Sequence, residues 1–341
     1  MTLREVAQQA GVSIATASRV MNTPDMVREP TRSRVLEAAK ALKYRPNRHA
    51  QSLVGGVSRV IGVIVSNVAN PFFADILQAL ERRATEHDYE LVLESTDYRP
   101  ARLEAALNRM LGRRLAGIAV AASEADAQVI ERLAAAERPA AILDDSSASD
   151  DSVTRIAMRY DDAMRRAVEY LHSLGHRKMG FVSHHGSLDP LRERESGFET
   201  TVRSFPGVEY SVAAGSDSPD GGRQALRSML DSGFKPTAVL AVNDFMAVGA
   251  LRELRKAGLE VPRDVSLIGF DNIELSEYLT PALTTVNVPR RRIGEIMFDA
   301  LINDPKTNEG IGRRIQLEPE LVLRDSTAVV RQSAKKRAGA R

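Results

Sequence analysis

The sequence predicts an α/β protein: a small all-α head joined to a two-lobed body built on parallel sheets. Three observations carry this. Residues 1–46 read as three short helices with a glycine turn between the first two. From Val60 onward, apolar runs of three to six residues alternate with helical stretches, and the alternation occurs twice over. A parallel sheet covered by helices on both faces gives that pattern. The charge is also uneven. Residues 1–60 hold ten Lys or Arg against four Asp or Glu, and the last eleven hold five basic residues and no acid, yet the whole 341-residue chain is only +2. The middle is therefore acidic, and a basic end on an acidic body suits contact with a polyanion at that end.

In the head, helix one covers 3–10, with Val6 and Ala7 inward and Leu3 one turn earlier. Gly11 supplies the tight turn. Ser13 caps helix two, its hydroxyl accepting from the N–H of Ala15 or Thr16. Helix two covers 14–21, with Ala17, Val20 and Met21 inside and Ile14, Ala15, Ser18, Arg19 and Asn22 mainly outside. Helix three starts near Pro30, where proline is tolerated in a first turn. It runs through Val35, Leu36, Ala39 and Leu42 to Tyr44. Two helices about a tight turn lay the second into the DNA major groove. Any small three-helix bundle shares the hydrophobic pattern; the polar outer face of helix two and the basic charge favour the DNA reading. Arg28, Arg32, Lys43, Arg45 and Arg48 are phosphate candidates, with salt-sensitive affinity as the consequence. The segment 47–54 is too short to be a stable helix alone, and Gly55-Gly56 breaks it.

The body repeats one unit. Strands at 60–65, 91–93, 117–120 and 140–143 alternate with helices at 73–85, 102–111 and 127–136. After Asp161 come helices at 163–174, 194–203, 221–232 and 245–256, with strands at 178–182, 238–242 and 265–270. Helix 290–301 and a strand near 314–317 return to the first lobe. The domain reading is a head at 1–46, a linker at 47–59, a body at 60–328 and a basic, disordered tail at 329–341. Lobe one takes about 60–158 and 290–318, and lobe two takes 161–287 and 319–328. Chain crossings between lobes make a hinge that closes on a ligand. Open parallel sheets bind ligands outside the carboxyl ends of their strands. There stand the segment 66–73, Asp144, Arg192 and Arg194, Asn243-Asp244 and Asp271-Asn272. Carboxylates, amides, an arginine and aromatics in one cleft suit a polyhydroxylated ligand. Asn70-Pro71 equally suits a helix start, and Asn243-Asp244 a helix cap.

Val6-Ala7, Gly11-Val12-Ser13, Thr16, Ser18-Arg19-Val20, Asn22, Tyr44, Pro46 and Asn47 together resemble the LacI/GalR family of bacterial transcription regulators, and the likeness extends to about residue 327. The resemblance implies a body similar to periplasmic sugar-binding proteins. It implies base contacts from Ile14, Ala15 and Arg19; arginine binds guanine bidentately and alanine offers a methyl to thymine. Thr16, Ser18, Asn22 and Thr31 then hold phosphates, and Thr2, Ser13, Tyr44, Asn47 and Ala50 complete the DNA-binding set. The linker becomes helical on operator DNA in a dimer, and Leu53 wedges into the minor groove; without the head, Leu53 would read as linker packed on the body. Phe72, Phe73, Asp144, Arg194, Asn243 and Asp271 are the implied effector contacts. Three departures bear on the ligand. Gly215-Ser216-Asp217-Ser218 lacks the aromatic many relatives carry, Val288 replaces a common glutamine, and Arg159-Tyr160 replaces an Asp-Asn.

The function expected is a repressor binding a near-palindromic operator in double-stranded DNA as a homodimer. A small carbohydrate effector controls it; a non-sugar corepressor or a protein partner is the alternative. No cysteine occurs, which excludes disulfides and thiolate chemistry. No apolar run approaches ~18 residues, so no membrane span is expected. Met1-Thr2-Leu3-Arg4-Glu5 lacks a secretory core, which points to the cytoplasm. Neither a metal nor a cofactor is expected. His184-His185 are adjacent and diverge on a strand. His172 and His176 stand at a helix end that Gly175 caps. An enzyme reading lacks a nucleophile with its base, and a transport protein would need a signal and no head.

Overall fold

The chain divides into two units, residues 1–59 and 60–341. The computed structural model describes residues 1–44, 58–143, 152–185, 189–302 and 314–331. In the head, α1 (Leu3–Gln9) is closed by a capping box: the Thr2 hydroxyl accepts from Glu5 N–H, and the Glu5 carboxylate accepts from Thr2 N–H at 2.6 Å. Such a box satisfies two otherwise orphaned donors. Gly11 lies at φ +66°, a conformation that costs glycine little. Next comes α2 (Ile14–Asn22), with Ser13 Oγ accepting from Thr16 N–H at 3.1 Å. A 3-10 turn at Pro24–Met26, absent from the sequence reading, leads into α3 (Glu29–Ala41). Val6, Ala7, Ala17, Val20, Val35, Ala38 and Ala39 form the core. So many alanines bring the three helix axes close. The third helix stops three residues before Tyr44 because Lys43 turns left-handed at φ 49°; Leu36 on its outer side is 47% exposed.

The body holds two six-stranded sheets. β1 (Val60–Val65), β2 (Glu90–Ser95), β3 (Gly117–Ala121), β4 (Ala140–Leu143), β5 (Thr154–Met158) and β11 (Arg314–Leu317) build the first. Its order is β11-β5-β4-β3-β1-β2, parallel throughout. Helices α4 (Pro71–Glu86), α5 (Pro100–Leu111) and α6 (Ala127–Ala134) connect its strands. The second sheet takes β6 (Lys178–His184), β7 (Glu209–Gly215), β8 (Ala238–Ala241), β9 (Ser266–Asp271), β10 (Thr284–Asn287) and β12 (Glu320–Val322). It runs β12-β10-β9-β8-β6-β7, with β12 antiparallel at one edge. Between its strands lie α8 (Asp189–Ser204), α9 (Pro219–Asp231), α10 (Asp244–Lys256) and the short α11 (Leu275–Tyr278). α7 (Tyr160–Ser173) leads from β5 to β6, and α12 (Arg290–Ile302) follows β10. The chain thus passes between sheets three times, after β5, after β10 and after β11. The all-α head and the parallel α/β body are both as the sequence predicts.

One buried cluster runs from Ile61 and Val63 of β1 through Tyr160 to Phe181 and Phe270 of the second sheet. A second, with Ile64, Leu107, Met110 and Ile118, fills the other face of the first sheet. α12 packs on α4 through Gly294: a Cβ there would lie 2.4 Å from the Ile76 carbonyl oxygen. The chain after β12 straps the second sheet. His176 joins Thr237 Oγ1 at 3.1 Å and the Ala328 carbonyl at 3.0 Å, and burial holds its imidazole below the ordinary histidine range. Val330 N–H donates to Leu174 O, so the strap reaches at least that residue.

Candidate nucleic-acid interface and ligand cleft

The outward side of α2 carries Ile14, Ala15 and Arg19, all exposed; Ile14 shows 45% of its surface. An exposed isoleucine, alanine and arginine spread across the outward side of one helix offer a methyl-rich surface and a bidentate donor. Ser18 and Thr16 lie half-buried beside them. The Ser13 and Thr16 hydroxyls are 2.9 Å apart, one capping α2, so each keeps only part of its capacity for an outside oxygen. Thr2 is the cap of α1, and Thr31 sits in the first turn of α3. Tyr44 packs against the head core. Arg32, a phosphate candidate in the sequence, pairs with Asp25 at 3.3 Å and with Glu29. The Asn22 side chain, and Arg45, Asn47, Arg48, Ala50 and Leu53 entirely, lie outside the described residues.

In the body, the carboxyl ends of the two sheets face a cleft. Asn70, Phe72 and Phe73 after β1, Tyr98 after β2 and Ser123 after β3 line one side. Tyr160, His184, Arg194, Asn243 and Asp271 line the other. The open space between them is about 50 Å³, far short of the roughly 300 Å³ of a small-ligand site. Admission of a ligand therefore requires the two sides to part.

Arg194 is the best-held side chain in the cleft. Its guanidinium lies against two rings that meet beside it, 4.5 Å from the centroid of Tyr160 and 4.0 Å from that of Phe270. It donates to the Val242 carbonyl at 2.8 Å and stands 3.3 Å from Asp271 Oδ1. Neither Arg194 Nε nor Asp271 Oδ1 has a hydrogen-bond partner among the described residues, although both are buried. Arg194 Nε is a buried donor without a hydrogen bond, and Asp271 Oδ1 meets the guanidinium as an ion pair outside hydrogen-bond geometry, so a ligand hydroxyl would complement both. Asp271 has φ 102° and Asn272 φ 54°, which for residues with a Cβ is strained backbone. Burial pushes the Asp271 carboxyl up to about 6, against the pull of Arg194. Behind it, the wholly enclosed Asp244 is pushed up to about 8 by burial, against the hydrogen bond from Thr285 Oγ1.

Two polar clusters hold the rim. Ser66 Oγ donates to Glu124 at 2.6 Å, and Thr96 donates to the same carboxylate. This ties together the three loops that follow β1, β2 and β3. Asp217, on the loop between β7 and α9, bridges the cleft. It accepts from Asn70 Nδ2 at 3.0 Å and from Tyr98 Oη on the first-sheet side, and from Asn243 Nδ2 at 2.7 Å on its own side. The Tyr98 hydroxyl is pushed far above the ordinary tyrosine range by burial and by Asp217.

Of the sequence-derived effector set, Phe72, Phe73, Arg194, Asn243 and Asp271 come together, and Asp144 lies outside the described residues. Asn243 is largely occupied: its Oδ1 accepts from Met246 N–H as the cap of α10, and its Nδ2 serves Asp217. Asn70 is used in the same double way, capping α4 through Phe72 N–H. Both helix-cap alternatives therefore hold as well. Tyr98 and the bridging role of Asp217 escaped the sequence reading. The strand-end rule applied to 90–95 would have found Tyr98.

Residues 2–47 match the bacterial regulatory proteins of the lacI family, and residues 168–327 match the periplasmic binding protein-like domain. The HTH-type transcriptional repressor PurR of Aliivibrio salmonicida (strain LFI1238) is 33% identical, over 95% of this chain and 98% of its own. A solved lac repressor dimer, bound to operator and the anti-inducer ONPF, shares 31% identity over 96% of this chain and 99% of that one, with a TM-score of 0.84. A complex of the transcriptional regulator CelR with cellobiose shares 28% identity over 96% and 99%, with a TM-score of 0.67. The chain belongs to the lacI family of bacterial regulatory proteins. It is a DNA-binding, ligand-responsive transcriptional repressor of that family. No helix among the described residues is long and apolar enough to cross a membrane.

Proposed function

We propose that the chain represses transcription as a homodimer on a near-palindromic operator, under control of a small polar effector, a sugar or sugar derivative, held in the cleft. The observation that carries the effector half is the Arg194–Asp271 ion pair, buried between the sheets with Arg194 Nε and Asp271 Oδ1 lacking hydrogen bonds. Such a pair grips a hydroxyl, and Phe72 and Phe73 supply the apolar face that a sugar ring needs. The cellobiose-bound regulator similar to this chain supports a carbohydrate ligand. The operator-bound lac repressor dimer supports two heads on one duplex. In that arrangement Ile14, Ala15 and Arg19 read base edges, Thr2, Ser13, Thr16, Ser18, Asn22, Thr31, Tyr44, Asn47 and Ala50 fix register, and Leu53 wedges the minor groove. Effector binding turns one lobe against the other and alters the spacing of the two linkers. A coupling of about 1–3 kcal/mol changes operator affinity roughly 5–150-fold.

The test is selection of a duplex from a random pool by the purified protein, then titration of that duplex by gel shift with a panel of sugars, with and without Leu53→Ala and Arg194→Ala. The expected result is a two-fold-symmetric site, weaker binding for Leu53→Ala, and loss of the sugar response alone for Arg194→Ala. Absence of any preferred duplex would sink the DNA half; an Arg194→Ala protein with an unchanged sugar response would sink the effector half.

A further inference from the structure

The clasp across the cleft bears on which ligand the cleft selects. Asp217 takes three hydrogen bonds, all from neutral donors, and two of them come from the opposite side of the cleft. The two amides are oriented without ambiguity. Asn70 and Asn243 each hold a backbone N–H with Oδ1, so Nδ2 is the atom turned to Asp217. Tyr98 likewise gives its single proton to Asp217. Its oxygen has only lone pairs left for anything else. When the sides part to admit a ligand, Asp217 loses Asn70 and Tyr98 and becomes the open acceptor itself. In either position this end of the cleft presents acceptors.

The charges agree. Asp271 lines the cleft and Asp217 is hydrogen-bonded to three residues that line it, whereas Arg194 is the one Lys or Arg among the described lining residues. Arg194 is already matched to Asp271. That leaves Asp217 as an acid with no cationic partner among the bonds it makes. Aromatic rings stand at the same end: Tyr98 lies 6.4 Å from Phe73 and 5.5 Å from His184, centroid to centroid. A carboxylate beside aromatic faces is a setting that favours a cation.

We propose that Asp217 makes the cleft selective for a polyhydroxylated amine, with a protonated nitrogen at the Asp217–Tyr98 end and hydroxyls at the Arg194–Asp271 pair, where Arg194 Nε and Asp271 Oδ1 lack hydrogen bonds. This rests on the effector reading above and narrows it. A neutral hydroxyl can only replace the neutral donors that Asp217 already has. An ammonium replaces them with charge-assisted bonds, which are roughly twice as strong. A sugar acid brings a second negative charge to the same place.

The experiment is calorimetric titration of the full chain with two matched hexose series: glucosamine, glucose and glucuronate, and galactosamine, galactose and galacturonate. N-acetylglucosamine is added as the same skeleton with its charge removed. In at least one series the amine is expected to bind roughly tenfold or more tighter than its alcohol and acid, a factor worth about 1.4 kcal/mol. Acetylation should erase that advantage, and added salt should weaken the amine selectively. Asp217→Asn should bring amine and alcohol to within about threefold. Asp220→Asn, an exposed acid paired with Arg223 at the start of α9, should leave the ratio unchanged. The acetylated and salt arms need no variant, so they stand even if Asp217→Asn fails to fold. A preference for the alcohol or the acid overturns the amine assignment and leaves the effector reading intact. An amine preference that survives both acetylation and Asp217→Asn overturns the role of Asp217. No binding by any of the seven compounds overturns the assignment too, while the effector reading is then judged by operator titration with the wider sugar panel.

Discussion

Replacing Arg194 with methionine tests the cleft at its centre. Methionine keeps an apolar stem against Tyr160 and Phe270 but removes the charge. The Val242 carbonyl then loses a charged donor, worth about 1.5–3 kcal/mol, and two ring contacts lose their cation, at about 0.5–2 kcal/mol each. Asp271, only 3% exposed, loses its partner. Breaking a buried pair in this way costs about 3–5 kcal/mol, and the remaining apolar stacking puts the expectation near the lower end, about 3 kcal/mol at pH 8. The pH dependence has a definite sign. The Asp271 carboxyl is at about 6 in the folded protein, above the ~3.9 of an unfolded chain. Its neutral form is therefore favoured by folding, and stability present at low pH is lost as pH rises through that window. Without Arg194 the folded value climbs further, and the window extends above 6. Each added unit of the window costs about 1.4 kcal/mol. Wild type and variant should thus differ less at pH 6 than at pH 8, by about 1–2 kcal/mol. Urea unfolding followed by circular dichroism at the two pH values measures this. On an Asp271→Asn background the pH-dependent part should vanish. A loss under about 1 kcal/mol at pH 8, or a gap that fails to widen from pH 6 to pH 8, refutes the account of a buried, charge-matched pair.

Three further outcomes are expected. Asp244, pushed up to about 8, should destabilise the body as pH rises from ~4 toward that value; thermal unfolding of Asp244→Asn should fall less between pH 6 and pH 8 than that of the wild type, and parallel curves would count against it. Ser13→Ala removes the cap of α2 and should cost the head about 1 kcal/mol, read as a lower midpoint for the head transition in calorimetry, with the body transition unmoved. Gly294→Val forces a side chain onto the Ile76 carbonyl and should cost about 3 kcal/mol or more through overpacking; a body as stable as the wild type in urea would mean that α4 and α12 separate at little cost.

What the sequence shows depends on whether a feature is local. The central strands β1, β3, β8 and β9 are buried on both faces, so each reads as an apolar run. β7 is a half-buried edge strand, Glu-Tyr-Ser-Val-Ala-Ala-Gly, with no such run to mark it in the sequence. β5 is fully buried yet holds Thr154 and Arg155, which break the apolar signal. The cleft divides the same way. Phe72, Phe73, Arg194 and Asp271 stand at strand ends or helix starts, where a parallel sheet places a ligand. Tyr98 and Asp217 are 119 residues apart, and only the closed cleft joins them. No periodicity or spacing encodes such a contact. The fate of Asn243 was half legible: the sequence offered a cap and a ligand contact, and hydrogen bonds with Met246 and Asp217 take up both ends of its amide.

The same contacts explain how a change in the cleft reaches beyond it. α4 begins in the cleft: Asn70 caps it, and Phe72 and Phe73 in its first turn are lining residues. One turn on, Asp75 accepts from Arg290 Nε at 2.8 Å, and the same guanidinium donates to the Asn272 carbonyl at 2.6 Å. Asn272 follows Asp271 directly, and both sit on strained backbone. Asp271 and α4 are therefore joined by one arginine at the second crossing between the sheets. The cap of α4 is held separately by Asp217, from the other side. A ligand that shifts Asp271, or that takes Asp217 from Asn70, acts on the start of one 16-residue helix, about 24 Å long. α12 packs along that helix with no room to slip at Gly294. A helix held at its first turn and packed along its side on α12 is placed to carry a displacement in the cleft to the α4–α12 pair. The expected outcome is that Arg290→Ala, which cuts the tie from Asn272 to Asp75, weakens the effect of ligand on operator affinity in gel shifts.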